Sequence, residues 1–469
     1  MKLDFAKLDR AFNPGCVAVV GDSARNDFRW LRGQSNFKGK LYSVQVNPDS
    51  IKGIKALGIE NYTSLLDIPE PVDLVIVAVP RAIAPRVLEY CIRKEVAAAH
   101  FFTSGFAETD TDEGIELERL LTERAEKANF HLIGPNCMGI FSPGVGIRQS
   151  LEQYSGVSGP LGFISQSGTH AVNFSLEGHM QGINVNKSVS FGNGIVLDSP
   201  DYLEYFGRDT EIKAIGMYLE GVRDGRRFLR VLKEVSARKP VVIWKGGRTE
   251  EGGRAIASHT GSMTVSQTIW ETAVRQHGGI KVERMDEMVD TLKALYYLSP
   301  VRGNRVAVAG GSGGQSVAIA DVFAEAGLKL PPLSRESNDE FASFFSLIGG
   351  SYVNPIDTGN PNREQMRRIM EILERDASID NLVLVINYRY NSPEGLQDQA
   401  KVAADIRKRS SKPILAIIPF STPNEMRLAR GLTQKLQDTG VPAFPTMERG
   451  AFALRKVLDY YTLKGNADS

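Results

Sequence analysis

Short apolar runs recur along the first third of the chain, and helix-like segments separate them. The runs end at Gly, Pro, Asn or Ser and do not alternate between polar and apolar positions. Such runs predict strands that are buried on both faces of a sheet. Because strands and helices alternate, the pattern predicts a parallel sheet covered by helices on both sides. The predicted strands are 16–21, 41–47, 73–80, 98–105 and 130–136.

Two further sets of apolar runs follow, and each set is preceded by an irregular segment. The segment 141–160 is rich in Gly and Ser and has no clear period, which predicts a linker. A second break falls at 298–304. We therefore predict three modules, at 1–145, 155–300 and 301–469. Their strands are predicted at 161–168, 185–194, 212–221, 240–247 and 279–284 in the second module, and at 305–314, 381–390 and 413–420 in the third.

The second and third sets share three features in the same order. Each set opens with an apolar strand that runs into a Ser/Gly-rich loop, ISQSG in one and AGGSGG in the other. Each also has a Lys-Pro pair before a later strand, Lys239-Pro240 and Lys412-Pro413, and an Asn followed shortly by an Asp. The shared order predicts two copies of one α/β module behind a distinct N-terminal module.

Composition excludes several classes of function. The chain has 469 residues with 56 basic and 55 acidic side chains, so its net charge of +1 gives no field to attract nucleic acid or an anionic membrane. No signal-peptide pattern and no membrane-length apolar run occur. The three cysteines, at 16, 91 and 137, lack metal-ligand spacing and do not form a disulfide framework. We expect a soluble, cytoplasmic protein with no metal site of its own.

Polar residues stand at the predicted carboxyl ends of the first set of strands, which is where open parallel sheets bind ligands. The first strand ends at Gly21-Asp22-Ser23, but no second or third Gly follows at the dinucleotide-fingerprint spacing. A plain Gly turn is the alternative reading. The pattern favours a nucleotide-like ligand other than NAD. The other strand ends are Asn47-Pro48, Pro80-Arg81, Thr103-Ser104-Gly105 and Gly134-Pro135-Asn136-Cys137.

In the second set, Ser165-Gln166-Ser167-Gly168 follows a strand and precedes a helical pattern. Hydroxyl groups and free N–H groups at such a turn can form an anion nest. Ser is also a common helix N-cap, so the turn has a purely structural alternative.

His259 lies in GGRAIASHTGSM, where small residues surround it on both sides. Little bulk is present to bury the ring, so we expect a mobile loop in which an imidazole nitrogen can attack a phosphoryl group. Glu220 ends a buried strand, where a carboxylate can cap a turn or accept the Nδ1–H of a histidine. Packing or solvent exposure is expected for the other five histidines, at 100, 131, 170, 179 and 277.

Five motifs together resemble the α subunit of NDP-forming acyl-CoA synthetases. They are GPNCMG (134–139), FISQSGT (163–169), the SFGNG stretch ending at Asp198, YLEG (218–221) and ASHTGS (257–262). The chain is most similar to the ADP-forming acetyl-CoA synthetase type, which is related to succinyl-CoA synthetase. The resemblance implies a Rossmann-like CoA-binding domain followed by two flavodoxin-like parallel-sheet domains.

The resemblance also implies an acid–CoA ligase that interconverts acyl-CoA, NDP and phosphate with a carboxylic acid, CoA and NTP. An acyl phosphate and a phosphohistidine at His259 are the implied intermediates. Glu220 would orient His259, and the phosphate site would be formed by Ser165, Gln166, Ser167 and Gly168. Cys137 is expected near the CoA thiol as a small neighbour and not as a nucleophile. The implied CoA-binding residues are Gly21, Ser23, Arg25, Asn47, Pro80, Arg81, Thr103, Ser104, Asn136 and Cys137.

Two departures from the family pattern change the expectations. Asp22 would stand near a pyrophosphate, which predicts weaker CoA binding that Asp22→Ala would tighten, although Arg25 could offset the charge. No P-loop and no ATP-grasp region occur in the chain. ATP or ADP and Mg²⁺ are therefore expected on an ATP-grasp β subunit, in a hetero-oligomer that is plausibly α₂β₂.

Three alternative functions remain from the sequence alone. An NAD-dependent oxidoreductase would fit the N-terminal sheet but not the missing fingerprint. A carbamoyl- or acyl-transferase could use the same scaffold by phosphorolysis, without a phosphohistidine. A noncatalytic CoA-binding protein would leave His259 and Glu220 unexplained. No residue pattern identifies the acyl group, because acid specificity depends on pocket shape.

Overall fold

A computed structural model gives the fold of the chain and describes residues 2–260, 267–298, 300–311, 313–344, 352–359, 361–387 and 393–467. Its strands form three sheets. They are β1 Cys16–Val20, β2 Lys40–Val44, β3 Glu60–Tyr62, β4 Leu74–Val77, β5 Ala98–Phe101, β6 His131–Ile133, β7 Gly139–Phe141, β8 Leu161–Ser165, β9 Val185–Ser190, β10 Ala214–Leu219, β11 Val241–Lys245, β12 Gly279–Val282, β13 Val306–Ala309, β14 Asn381–Val385, β15 Ile414–Ile417 and β16 Ala443–Phe444.

Helices connect most of these strands, and many begin at a polar cap. Helix α5 begins after Thr111, whose hydroxyl accepts a hydrogen bond from the N–H of Gly114. The helices are α1 Phe5–Phe12, α2 Arg29–Gly33, α3 Pro48–Ala56, α4 Ala84–Arg93, α5 Asp112–Lys127, α6 Gly168–Met180, α7 Ser199–Arg208, α8 Gly225–Ser236, α9 Glu250–Thr260, α10 Gln267–Gln276, α11 Met285–Tyr297, α12 Gly313–Glu325, α13 Arg335–Phe344, α14 Arg363–Arg375, α15 Pro393–Arg409, α16 Pro423–Asp438 and α17 Met447–Ala467. Among the described residues, no helix has the length and apolar character needed to cross a membrane.

The first sheet has the strand order β3-β2-β1-β4-β5-β6, and every neighbouring pair is parallel. This is the order of a doubly wound Rossmann sheet, in which ligands bind at the carboxyl ends of the strands. The central strands β1, β4 and β5 are buried throughout, as their continuous apolar runs predict. The predicted Rossmann-like domain is confirmed.

The second sheet has the order β12-β11-β10-β8-β9-β7. Its five parallel strands, β8 to β12, follow the flavodoxin-like order 2-1-3-4-5. Strand β7 joins the free edge of this sheet by antiparallel pairing with β9. The sequence did not predict β7, because three residues between two loops are too short to show a period.

The third sheet has the order β13-β14-β15-β16, and a parallel bridge from Ala309 to Ile356 extends it on the far side of β13. The Ile356 bridge occupies the place that β9 has beside β8, so the order of the second sheet is repeated. The two Lys-Pro pairs also have matching contacts. Lys239 Nζ donates to the carbonyls of Phe206 and Asp209, and Lys412 Nζ donates to those of Leu373 and Asp376. These contacts support the predicted duplication.

The first two sheets share one hydrophobic core. Phe12 of α1 contacts the rings of Tyr205 and Phe206 of α7, with centroids 5.1 and 5.5 Å apart, and these side chains belong to the same buried cluster as Val17 and Ile164. The described contacts divide the chain into two compact units, one of 1–179 with 183–283 and the other of 180–182 with 284–469. The domain boundaries at 145, 155 and 300 remain predictions.

The segment 141–160, which is predicted to be a linker, is packed against the protein through polar side chains. Arg148 is 8% exposed, and its guanidinium donates to the carbonyls of Gly33, Leu151 and Gln153. Gln149 Nε2 donates to the carbonyl of Gly139 at 2.6 Å. Polar side chains that bond to backbone carbonyls take the place of a hydrophobic period, which is why the apolar pattern does not reveal this segment.

Asp22 follows β1 and is fully buried. Its carboxylate accepts hydrogen bonds from the N–H groups of Leu31 at 2.9 Å and Ser23 at 3.1 Å. Burial raises the pKa of this carboxyl, while its bond to the Leu31 N–H lowers it. The carboxylate therefore holds the turn together, which argues against the expectation that it opposes a pyrophosphate.

Replacement of Asp22 by Ala should therefore lower stability and should not tighten CoA binding. Two backbone N–H groups lose their acceptor, which costs about 1–3 kcal/mol of unfolding free energy. Urea unfolding and a calorimetric CoA titration measure the two effects. Glu123→Ala is the control, because Glu123 is exposed on helix α5 and pairs with Arg119 at the surface, so the loss should stay below about 0.5 kcal/mol. Tighter CoA binding at unchanged stability would contradict this prediction.

Because the rings of His100 and His131 are buried, we predict that the free energy of unfolding decreases in acid. Both rings are fully buried, and burial lowers the pKa of His100 to about 3 and that of His131 to about 4. Between these values and the ordinary pKa of 6.5, the unfolded chain binds protons that the folded chain does not. The unfolding free energy should fall as pH decreases from about 6.5 to 4. His100→Gln should reduce this dependence in urea unfolding series, and an unchanged slope would refute the assignment.

Candidate active site

The predicted CoA-binding residues gather at the carboxyl edge of the first sheet. Gly21 follows β1 with a φ of +89°, a conformation that residues with a side chain rarely adopt. A Cβ there would also lie 2.5 Å from Val79 Cγ1, which is too close for a side chain to fit. Asn47 follows β2, and its side chain caps α3 by accepting from the N–H of Ser50. Ser23 begins a 3₁₀ turn over 24–26, which includes the exposed Arg25.

The ends of β4 and β5 are joined by side chains from the predicted set. Thr103 Oγ1 donates to the carbonyl of Val79 at 2.7 Å. Arg81 donates to the carbonyl of Gly105 at 2.8 Å and forms an ion pair with Glu113. Pro80 and Ser104 are exposed at the same edge. The structure therefore brings these residues to one ligand edge, with Thr103 and Arg81 engaged in bonds within the protein.

The GPNCMG segment connects the edges of the first two sheets. The N–H of Asn136 donates to the carbonyl of Thr103, and the N–H of Asn193 donates to the carbonyl of Pro135 at 3.1 Å. Met138 N–H donates to Ser190 Oγ on β9 at 3.1 Å. Two loops that are far apart in sequence, SFGNG and GPNCMG, are thus bonded backbone to backbone.

Cys137 is buried in this segment, and its Sγ lies 3.5 Å from the carbonyl of Phe101 and 3.6 Å from that of Ile133. Burial raises the pKa of the thiol to about 12. A neutral thiol is a poor nucleophile. The expectation that Cys137 is not a nucleophile agrees with this burial, and its place beside the CoA thiol stays a prediction.

The predicted anion nest forms the turn between β8 and α6. Ser167 N–H donates to Ser165 Oγ at 3.1 Å, and the N–H of His170 donates to Ser167 Oγ at 3.3 Å. The turn lies against the GPNCMG segment, because a Cβ at Gly168 would be 2.5 Å from Met138 Cγ. The two serines cap the helix start, and the nest adjoins the segment that links the two sheets.

Gln166 makes a contact that the sequence did not predict. Its Oε1 accepts hydrogen bonds from the backbone N–H groups of Glu220 and of Gly221, the latter at 2.9 Å. The side-chain carbonyl thus holds the end of β10 next to the nest. Such a bond between residues 54 and 55 positions apart leaves no local signal in the sequence.

Glu220 stands beside two further polar side chains. Tyr218 Oη lies 3.3 Å from Glu220 Oε1. Lys245, at the end of β11, is 8% exposed, and its Nζ donates to the carbonyls of Glu220 and Gly246, both at 2.7 Å. Burial lowers the pKa of Lys245, and the charge of Glu220 opposes that shift. Sequence reasoning missed both residues, although a lysine inside an apolar strand run, as in VVIWK, is a usable signal.

The backbone of His259 lies in α9, which extends to Thr260. The predicted loop is therefore helical up to that residue, because Ala and Glu favour helix and two acidic side chains, Glu250 and Glu251, occupy the first turn. The side chain of His259 and residues 261–266 lie outside the described residues. Helix α9 packs against the 3₁₀ turn 107–109, which follows β5 at the ligand edge of the first sheet.

Polar residues outside the predicted set bridge the two edges. Asn193 Nδ2 donates to Glu108 Oε2 at 2.7 Å and to Glu118 Oε2 at 2.9 Å. Glu108 also accepts from the N–H of Gly105 at 2.7 Å. This bridge gives the SFGNG motif a structural role, since it fixes the first sheet against the second.

Comparisons with known proteins agree with this architecture. A CoA-binding domain model matches residues 16–143, and a model of the succinyl-CoA ligase-like flavodoxin domain matches residues 158–295. The first match covers the Rossmann-like sheet and the GPNCMG segment, and the second covers the nest and Glu220.

Relatives match over nearly the whole chain. The α subunit of ADP-forming acetate–CoA ligase II from Pyrococcus furiosus is 34% identical over 458 residues, which cover 95% of this chain and 96% of that subunit. ADP-forming acetate–CoA ligase I from Archaeoglobus fulgidus is 34% identical over 403 residues, and the match spans 85% of this chain but 57% of that protein.

A solved structure has the same fold. The dinucleotide-forming acetyl-coenzyme A synthetase 1 of Ca. Korarchaeum cryptofilum, in complex with phosphate and ADP, superposes with a TM-score of 0.84 at 29% identity over 98% of this chain and 97% of that one. An NAD-dependent oxidoreductase finds no support in these matches. The resemblance carried by the five motifs is confirmed, and the chain belongs to the family of ADP-forming acid–CoA ligases, in which it corresponds to the α subunit.

Proposed function

We propose that this chain is the α component of an ADP-forming acid–CoA ligase that passes a phosphoryl group through His259. The observation that carries the proposal is the bond from Gln166 Oε1 to the backbone of Glu220 and Gly221. It joins the anion nest to the carboxylate that would orient the histidine. A helix cap alone would not need that connection.

The chemistry proceeds in two steps on this chain. A phosphate oxygen attacks the thioester carbon, the C–S bond breaks, and CoA leaves as the thiolate, which then takes up a proton. An imidazole nitrogen of His259 next attacks the phosphorus of the acyl phosphate, and the P–O bond to the acyl group breaks to release the carboxylate. The backbone amides around Ser165 to Gly168 and the N-terminus of α6 would stabilise the negative charge in both steps.

Glu220 would accept the Nδ1–H of His259 and leave Nε2 free to react. The packing of α9 against the 3₁₀ turn 107–109 supports this assignment, because it brings the helix that carries His259 to the edge where CoA would bind. The CoA body would lie along the ends of β1, β2, β4 and β5. The neutral thiol of Cys137 takes no part in the covalent chemistry.

The nucleotide would bind on a second subunit. The relative from Pyrococcus furiosus is named as subunit alpha and has nearly the length of this chain, whereas the Archaeoglobus protein is longer than the matched region. An ATP-grasp β subunit would supply the ATP or ADP site and its Mg²⁺, in a cytoplasmic hetero-oligomer. No P-loop of the form GxxxxGK(S/T) occurs in the sequence, which agrees with a nucleotide site on a partner.

His259 should become phosphorylated when the full chain is incubated with acetyl-CoA and labelled inorganic phosphate. The label should be acid-labile and should be absent from His259→Ala, because the nucleophile is gone. Glu220→Gln should slow labelling by roughly 10–100-fold without abolishing it, since the side chain orients the ring and does not react. His277→Ala is the matched control, and it should label as the wild type does. Persistence of the label in His259→Ala would refute the assignment.

The chain alone should not make acyl-CoA from ATP, a carboxylic acid and CoA. It only relays a phosphoryl group, so synthesis requires a subunit that holds the nucleotide and metal. The measurement is thioester formation by the purified chain, with and without a coexpressed ATP-grasp subunit, over a panel of carboxylic acids. Robust synthesis by the chain alone would show that a nucleotide site lies on it.

A further inference from the structure

Lys245 is a buried cation at the candidate active site, and it has no carboxylate within ion-pair distance among the described residues. Its ammonium donates to the carbonyls of Glu220 and Gly246, and it lies 5.9 Å from the centre of the Trp270 ring. Burial of a charged group is costly unless its bonds repay the loss of water. A methionine of similar length would fill this position without that cost, so stability alone does not explain the lysine.

Residue Glu220 is held from both sides. Gln166 Oε1 accepts from its backbone N–H, and Lys245 Nζ donates to its backbone carbonyl. Both side chains come from neighbouring strands, β8 and β11, which flank β10 in the sheet. The backbone of Glu220 lies just beyond the end of its strand, and side-chain hydrogen bonds fix both its N–H and its carbonyl.

The duplicated third sheet gives an internal comparison, because its strand register can be aligned with the second. Leu161 pairs with Ala214 in the second sheet as Val306 pairs with Asn381 in the third. Ile215 N–H donates to the Pro240 carbonyl as Leu382 N–H donates to that of Pro413. These pairs fix the three positions that correspond to Gln166, Glu220 and Lys245, and the third sheet has Gly311, Asn387 and Ile418 there.

Lys239, just before β11, and Lys245, at the end of β11, differ in whether the third sheet has a matching lysine. Lys239 has a counterpart in Lys412, which makes the same pair of carbonyl contacts, so this contact belongs to the module as a structure. Lys245 has no counterpart, since the buried Ile418 occupies its place. The lysine is thus present only in the copy that also has Gln166 and Glu220. Gln166, Glu220 and Lys245 occur together in the second sheet, and all three are replaced in the third. This pattern connects Lys245 to Glu220 and not to the fold that both sheets share.

We infer that Lys245, together with Gln166, is a positioning residue that fixes Glu220 for its work on His259. The inference rests on the proposed function, because it assigns Glu220 the role of orienting the histidine. Lys245 acts through the Glu220 backbone, whose carbonyl accepts its Nζ–H, and so holds Glu220 in place to accept the Nδ1–H of His259. It forms no bond to the reacting phosphoryl group.

The test measures labelling of the full chain by acetyl-CoA and radioactive phosphate, in a double-mutant cycle. Lys245→Met should slow labelling roughly 10–100-fold, Lys245→Arg should restore part of the rate, and the half-saturating acetyl-CoA concentration should stay unchanged. In the Glu220→Gln background, Lys245→Met should cause no further loss. Lys239→Met is the matched control, because it removes a carbonyl-binding lysine from the other end of the same strand and should not slow labelling.

Hydrogen exchange provides a readout that does not depend on activity. The amide protons of Glu220 and Gly221 should exchange at least about tenfold faster in Lys245→Met, and should be unchanged in Lys239→Met. If the wild type takes no label at His259, the proposed function fails, and the exchange rates alone decide whether Lys245 fixes Glu220. Additive rate losses in the double variant, or unchanged exchange in Lys245→Met, would overturn the inference.

Discussion

The pairing of β7 with β9 is the constraint on which the site depends. It makes the chain that leaves the first sheet an edge strand of the second, so the GPNCMG segment between them cannot shift without breaking a ladder of backbone bonds. The shared core around Phe12 and Phe206 and the bridge from Asn193 to Glu108 and Glu118 support the same arrangement. Because of this pairing, the first sheet is linked to the second by backbone hydrogen bonds as well as by the shared core.

Buried charge is handled in two distinct ways around the candidate site. Asp22 is neutralised by backbone N–H groups within its own turn and contributes to the shape of the first loop. Lys245 is satisfied by carbonyls, and its charge remains available to a neighbouring carboxylate. In a low-dielectric interior a buried cation acts over several ångströms, so it can influence a carboxylate that it does not touch.

The apolar runs predicted thirteen strands and the three sheets, because buried parallel strands have a strong and local signature. The duplication was predicted from the shared Ser/Gly-rich loop, Lys-Pro pair and Asn–Asp order. The strands β3, β7 and β16 were missed, since each has only two or three residues. Motif resemblance located Ser165, Glu220 and Gly134 to Gly139 near one another, which periodicity could not do. The roles of Asp22, Gln166, Arg148 and Lys245 were not predictable, because each depends on a bond to the backbone of a residue that only folding brings near. The expected loop at His259 was wrong up to Thr260 because small residues such as Ala also favour helix.

The repeated Lys-Pro contact also has a consequence for the history of the chain. After a duplication, each copy keeps what its own folding requires, while only one copy needs to keep the reactive groups. Lys239 and Lys412 meet the first requirement, because both copies keep the same carbonyl contacts, whereas the position of Glu220 is occupied by Asn387 in the third sheet. The third sheet is therefore an internal reference for the second, because a side chain kept in both copies serves the module itself and a side chain found in one copy needs a separate explanation.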